Sequence, residues 1–208
     1  MRLGVFGGTF DPVHIGHLVA AEGARTCIGL DRIVFIPAGR PWFKADREIA
    51  AGHHRLNMAR AATAPDPHFE VSDVELARSG PTYTADTLAE LKSSLGGTVD
   101  LFLIVGLDAL SEVDRWHEPR RVLDLATVVG VTRPGAEELT RQPLESLRPG
   151  AADSVMVVSV PPVGISSTDI RRRVRCGISI KYLVPEVVET YIRTHRLYTS
   201  AEETTQNG

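Results

Sequence analysis

Two histidines three residues apart, His14 and His17, follow closely on a glycine pair, Gly7-Gly8, with Thr9 and Phe10 directly after it. Residues at this spacing around a helix start project from one face. Lacking a Cβ, Gly7 and Gly8 let a ligand approach the backbone and meet its N–H groups. A helix N-terminus adds partial positive charge, so the arrangement suits a polyphosphate. Gly16, between the histidines, leaves room for a sugar or base to pack on the helix. Two plainer readings stand beside this one. A glycine pair after a strand also makes an ordinary tight turn, and two histidines can hold a metal ion. A metal would call for a third ligand and commonly a nearby carboxylate, whereas Ile15 and Gly16 lie between these two. Neither Gly-x-Gly-x-x-Gly nor Gly-x-x-x-x-Gly-Lys-Ser/Thr occurs, which excludes the dinucleotide fingerprint and the P-loop.

A second candidate anion site is Ile165-Ser166-Ser167-Thr168-Asp169-Ile170-Arg171. Serines ahead of a helix serve as N-caps, but hydroxyls and free N–H groups at a helix head also suit an anion. Arg171 falls about one turn in, where a guanidinium can reach that anion bidentately. Arg172, Arg173 and Arg175 read as a solvated face. Lys44 lies in the loop Pro37-Ala38-Gly39-Arg40-Pro41-Trp42-Phe43-Lys44, a place where lysine is most often simply solvated. Thr82-Tyr83-Thr84 starts a further helix, whose free N–H groups would suit a carboxylate, with capping by threonine as the plainer account.

The elements that must position these groups alternate. Strands are expected at Leu3 to Phe6, Arg32 to Ile36, Phe69 to Val74, Asp100 to Val105, Thr127 to Val131 and Val155 to Val160. Helical spacing runs through His17 to Cys27, Ala51 to Ala62, Tyr83 to Leu95, Ser167 to Val174 and Pro185 to His195. This pattern predicts an α/β fold, a Rossmann-like doubly wound, mostly parallel sheet with helices on both faces. Ligands then sit beyond the carboxyl ends of the strands, where the strand order reverses. One domain over residues 1–198 is expected, with residues 199–208 a disordered polar tail. Gly135 to Asp153 reads as a surface excursion.

The chain has 208 residues, 23 Lys plus Arg against 26 Asp plus Glu, and a formal charge of −3. That balance offers no global attraction for nucleic acid. The longest apolar run, Leu101 to Leu107, is too short to span a bilayer. Cys27 and Cys176 form no Cys-x-x-Cys pattern, which points to a reducing compartment and away from structural zinc. Met1-Arg2 runs straight into a strand, so no signal peptide is expected. Secreted miniproteins, membrane proteins and generic DNA binders are thereby set aside; a homo-oligomer remains compatible with the sequence.

As a whole, Gly7-Gly8-Thr9-Phe10-Asp11-Pro12-Val13-His14-Ile15-Gly16-His17 resembles the first signature of the HxGH nucleotidylyltransferase superfamily. Ile165 to Arg171 resembles its second, Ile-Ser-Ser-Thr-x-Ile-Arg. Within the superfamily, Arg78-Ser79-Gly80-Pro81-Thr82-Tyr83-Thr84-Ala85-Asp86-Thr87-Leu88 is similar to a segment of bacterial nicotinate-nucleotide adenylyltransferases, and the resemblance covers about residues 2 to 198. It implies transfer of AMP from ATP to nicotinate mononucleotide, releasing pyrophosphate. By resemblance, His14, His17, Lys44 and Arg171 are catalytic. Gly7, Gly8, Thr9, Phe10, Gly16, Gly106, Asp108, Ile165, Ser167 and Thr168 bind ATP. Thr82, Tyr83, Thr84, Trp116 and Arg133 bind the nicotinate nucleotide, Trp116 by stacking on the pyridine. In the loop resembling the family's lysine segment, Trp42-Phe43 replaces the commoner Pro-His. Mg²⁺ is expected to arrive with ATP, since no carboxylate cage is visible in the sequence. A cytoplasmic enzyme of NAD synthesis follows, with no nucleic-acid or membrane partner. The alternatives are another acceptor (nicotinamide mononucleotide, phosphopantetheine, or a sugar or polyol phosphate), a non-catalytic nucleotide sensor, and a metal hydrolase using both histidines.

Overall fold

The structure, a computed structural model, describes residues 1–39, 49–96, 98–136 and 138–199. The predicted Lys44, with Trp42 and Phe43, lies outside the described residues, as does the polar tail from residue 200 onward.

Six strands form one parallel sheet: β1 (Arg2–Gly8), β2 (Arg32–Pro37), β3 (Phe69–Val71), β4 (Asp100–Gly106), β5 (Thr127–Val131) and β6 (Met156–Val158). Their order is β3-β2-β1-β4-β5-β6, so the chain works outward from β1, first one way and then the other. Helices α1 (Ile15–Ile28), α2 (Gly52–Thr63), α8 (Ser167–Arg175) and α9 (Glu186–Thr194) account for four of the expected helices, and α4 (Thr84–Ser94) for the fifth.

Period-two alternation divides the strand side chains between two buried faces. Phe6, Ile33, Phe35, Phe102, Ile104 and Val129 pack on one side, with Ala20, Ala21, Ala24 and Ile28 of α1. The alternate residues Val5, Val34, Ile36, Leu101 and Leu103 pack on the other, with Ala85 and Leu88 of α4. The run of alanines lets α1 lie close on the sheet directly above the first signature. Gly29 then ends α1 in the left-handed region (φ 70°), its N–H bonded to the Arg25 carbonyl.

Several expectations change in detail. The third strand stops at Val71, and Val74–Ala77 forms a short helix, α3. The sixth covers only Met156–Val158 of the expected span. Three helices had no readable periodicity because they span four to seven residues: α5 (Leu107–Leu110), α6 (Pro119–Leu125) and α7 (Arg141–Leu147). The expected surface excursion is therefore corrected. Leu144 of α7 is fully buried and packs with Val113, Ala151 and Ala152 in a satellite core.

Leu107 is buried as well, and Gly130 makes space for it: a Cβ there would lie 2.5 Å from Leu107 Cδ2 and 3.1 Å from Leu110 Cδ1. Gly130→Ala should therefore overpack this corner and destabilise the protein by about 1–3 kcal/mol. Denaturant unfolding checks it, and an unchanged midpoint would contradict the packing described.

Candidate active site

The carboxyl end of β1 opens on two adjoining cavities. The larger, of about 520 Å³, collects Gly7, Gly8, Thr9, Phe10, His14, Gly16, His17, Gly106, Asp108, Ile165, Ser167, Thr168 and Arg171. The smaller, of about 240 Å³, collects Thr82, Tyr83, Thr84 and Trp116. Gly7, Gly8 and Val105 line both, so the glycine pair is the shared floor. Arg133, expected beside the acceptor residues, instead lines the larger cavity. There it faces Asp108 at 3.8 Å. A side chain at Gly106 would run into both partners, lying 2.2 Å from Asp108 Oδ1 and 2.9 Å from Arg133 Nε. The glycine is what lets this charged pair cross the end of β4.

His14 caps α1 from extended backbone (φ −145°, ψ 170°). Its N–H donates to His17 Nδ1 at 3.1 Å, and the two rings stack 3.7 Å apart at 24°. Phe10 meets the His17 ring edge-on at 5.0 Å. Because His17 Nδ1 accepts, its neutral ring carries the proton on Nε2 and can donate from there. Burial, reinforced by the charge of Arg133, lowers His14 from 6.5 to about 4. His14 is therefore neutral at physiological pH. Its Nδ1 is buried and has no hydrogen-bond partner among the described residues. Gly16 gives this seat room, since a Cβ would sit 3.1 Å from that nitrogen, closer than an unshifted ring would ordinarily accept.

At the opposite wall Ser166 caps α8, its hydroxyl accepting from Asp169 N–H at 3.1 Å. The Ser167 hydroxyl donates to the Pro12 carbonyl at 2.9 Å, tying α8 to the first signature. The backbone N–H groups of Ser167 and Thr168 and the Thr168 hydroxyl remain at the helix head, where Thr168 lines the larger cavity. Arg171 Nη1 donates to the Asp11 carbonyl at 2.7 Å and lies 3.5 Å from Asp11 Oδ2. Its Nη2 reaches the Thr168 hydroxyl at 3.4 Å. Arg172 and Arg173 pair with Asp169, outside the cavity, in keeping with a solvated face.

In the smaller cavity Tyr83 caps α4 and its ring stacks on His117 at 3.9 Å. The Thr82 hydroxyl oxygen is buried without a partner among the described residues. Trp116 lines the cavity while packing against three separate apolar clusters, so it is both core and wall. Glu75 also lines it, with Oε1 accepting from Thr87 Oγ1 at 2.8 Å and Oε2 from Gly39 N–H at 3.4 Å.

Sequence reasoning missed Arg55, which is only 1% exposed. It donates to the carbonyls of Thr9 (2.8 Å), Ala38 (2.7 Å) and Ala50 (3.0 Å), and so holds the first signature beside both flanks of the segment carrying Lys44. Nothing in a helical pattern marks such a residue. Asp11 and His117 did carry a signal, standing inside or next to motifs already singled out. Among the described residues no group of three or more His, Cys, Asp or Glu is arranged to hold a metal ion.

Residues 5–173 match the cytidylyltransferase-like family. A protein of Dehalococcoides mccartyi named probable nicotinate-nucleotide adenylyltransferase is 43% identical over 198 residues, covering 95% of this chain and 97% of that one. A protein of the same name from Salinispora tropica is 46% identical over 192 residues, covering 92% and 98%. The fold is shared with Plasmodium falciparum nicotinic acid mononucleotide adenylyltransferase complexed with NaAD, at a TM-score of 0.77 and 19% identity over 95% of this chain and 97% of that one. The chain belongs to the cytidylyltransferase-like family, as one of its nicotinate-nucleotide adenylyltransferases.

Proposed function

We infer that this protein transfers AMP from ATP to nicotinate mononucleotide, giving nicotinate adenine dinucleotide and pyrophosphate in NAD biosynthesis. The observation that carries the reading is the pair of cavities meeting over Gly7-Gly8. ATP fits the larger, with the stacked histidines and Arg171, and the mononucleotide the smaller. The acceptor's phosphate and the α-phosphate then converge on one strip of backbone that carries no side chain of its own, open beside Gly7 and flanked by the Phe10 ring at Gly8. The acceptor oxygen attacks the α-phosphorus, the bond to the bridging oxygen breaks, and pyrophosphate leaves with that electron pair. The attacking oxygen is already anionic, so positioning and charge stabilisation suffice without a strong base.

In this reading His17 Nε2–H donates to the α-phosphate as charge builds on it. Neutral His14 completes the helix start. Arg171, Lys44 and the Ser167 and Thr168 N–H groups take the departing pyrophosphate. Mg²⁺ brought with ATP would supply charge neutralisation on the triphosphate, with no protein residue assigned to hold it. Gly106 and Asp108 meet the nucleotide ribose, and Arg133 works on the ATP side with Asp108. The head of α4 and the Thr82 hydroxyl receive the nicotinate carboxylate, with Trp116 against the pyridine. A cluster of donors rewards a carboxylate and leaves a neutral carboxamide poorly matched. Residues 1–198 act as one nucleotidylyltransferase domain. We assign it to the cytoplasm, where two exposed thiols, Cys27 and Cys176, stay reduced. No helix of the described residues is long and apolar enough to cross a membrane.

The direct test is pyrophosphate release from ATP and Mg²⁺ with each candidate acceptor. Release with nicotinate mononucleotide is expected to exceed that with nicotinamide mononucleotide, and release with phosphopantetheine alone would overturn the assignment. His17→Ala should lower kcat by roughly 10²–10³, the scale of losing one transition-state donor; an unchanged kcat removes His17 from the mechanism.

His14 supplies a pH test. Its pKa is lowered in the folded protein, so between 6.5 and about 4 the unfolded chain binds the extra proton. Stability from the neutral ring is complete above 6.5 and is lost as pH falls toward 4. Melting temperature should therefore drop more steeply over that window in the wild type than in His14→Gln. Identical slopes would contradict a neutral, buried His14.

A further inference from the structure

We propose that Tyr198 is a positioning residue of the phosphate site, acting through Asp11 on Arg171. This rests on the adenylyl-transfer reading above but is built from a separate set of contacts. Tyr198 lies just past α9, 187 residues from Asp11 in sequence, yet its hydroxyl donates to Asp11 Oδ1 at 2.7 Å. The Ala50 N–H donates to the same oxygen at 3.1 Å. Asp11 is 1% exposed, and its other oxygen faces the Arg171 guanidinium.

The geometry makes Asp11 a pivot. Two donors on Oδ1 stop the carboxylate from turning about its own axis, which keeps Oδ2 turned toward Arg171 Nη1, the same nitrogen that donates to the Asp11 backbone carbonyl. Held at Nη1 by Asp11 and at Nη2 by Thr168, the planar guanidinium has its orientation fixed at the wall of the larger cavity. Burial and the adjacent Asp11 carboxylate push the Tyr198 hydroxyl above its ordinary value of 10.0. The phenol thus remains a donor throughout the working pH range. Tyr198 itself is anchored, since it and Leu197 pack on the main core and the Leu197 N–H bonds the Ile192 carbonyl.

Tyr198→Phe deletes the one oxygen and keeps the ring. It should weaken ATP binding and lower kcat about three- to tenfold, as for residues coupled within one hydrogen-bond network. The KM for nicotinate mononucleotide should hold. The decisive measurement is a double-mutant cycle with Arg171→Ala, read by ATP affinity in the presence of Mg²⁺ and by kcat per mole of folded enzyme. In the Arg171→Ala background Tyr198→Phe should have no further effect. An equal proportional loss in both backgrounds, a matching loss of acceptor affinity, or no loss at all overturns the proposal. If Tyr198→Phe fails to fold, Asp11→Asn takes its place in the same cycle and must show the same dependence on Arg171. ATP affinity keeps this test separate from the reaction: a wild type that binds ATP but releases no pyrophosphate with nicotinate mononucleotide refutes the function while leaving the cycle readable.

Discussion

The site depends on β1 being hydrogen-bonded in parallel to β2 on one side and to β4 on the other. Because the order reverses across this strand, the connections leaving β1 and β4 depart to opposite faces, and a crevice must open between them. The glycine pair closes β1 at the mouth of that crevice. Several parts of the larger cavity come from chain segments that have just left the sheet: His14 and His17 after β1, Asp108 after β4, Arg133 after β5. α8 approaches from farther along the chain and is fastened to the first signature through Ser167 and Arg171.

Inside the crevice, neutrality is arranged rather than inherited from composition. The net charge of −3 gave no hint of a polyanion ligand. The nearby acidic groups are occupied: Asp11 by Arg171 and Tyr198, Asp108 by Arg133, Glu75 by Thr87. Two imidazoles in face-to-face contact would repel if both were charged, and burial keeps His14 neutral. Among the described residues, the larger cavity is thus lined by neutral histidine and backbone groups and by the guanidinium of Arg171 held against Asp11, a lining that suits an anion without a proton being lost or gained.

Much of this could be read from residues in order, because the information was local. The strands were short β-branched runs, and both signatures combine glycine, hydroxyl and cationic residues whose purpose is set by their immediate neighbours. The short helices α5, α6 and α7 were invisible because four to seven residues do not complete a period; Leu144 alone cannot announce a buried face. Arg133 lines the larger cavity and not the one that holds Thr82 to Thr84, because its direction depends on Gly106 and Asp108 on a neighbouring strand's end. Ser167 turned inward to a carbonyl that sequence puts 155 positions away. Tyr198 and Arg55 gave no signal at all, since each acts only through partners brought near by folding.

Arg55 has a consequence for how such an enzyme can diversify. One guanidinium roots the chain on either side of residues 40–48, at Ala38 and at Ala50, to the backbone of Thr9. The roots are main-chain carbonyls, so they do not depend on which side chains the intervening stretch carries. The composition of that stretch can therefore vary while its points of departure and return stay registered to the first signature. Variation in the residues between these two roots is thereby separated from variation in where the chain leaves and rejoins the fold.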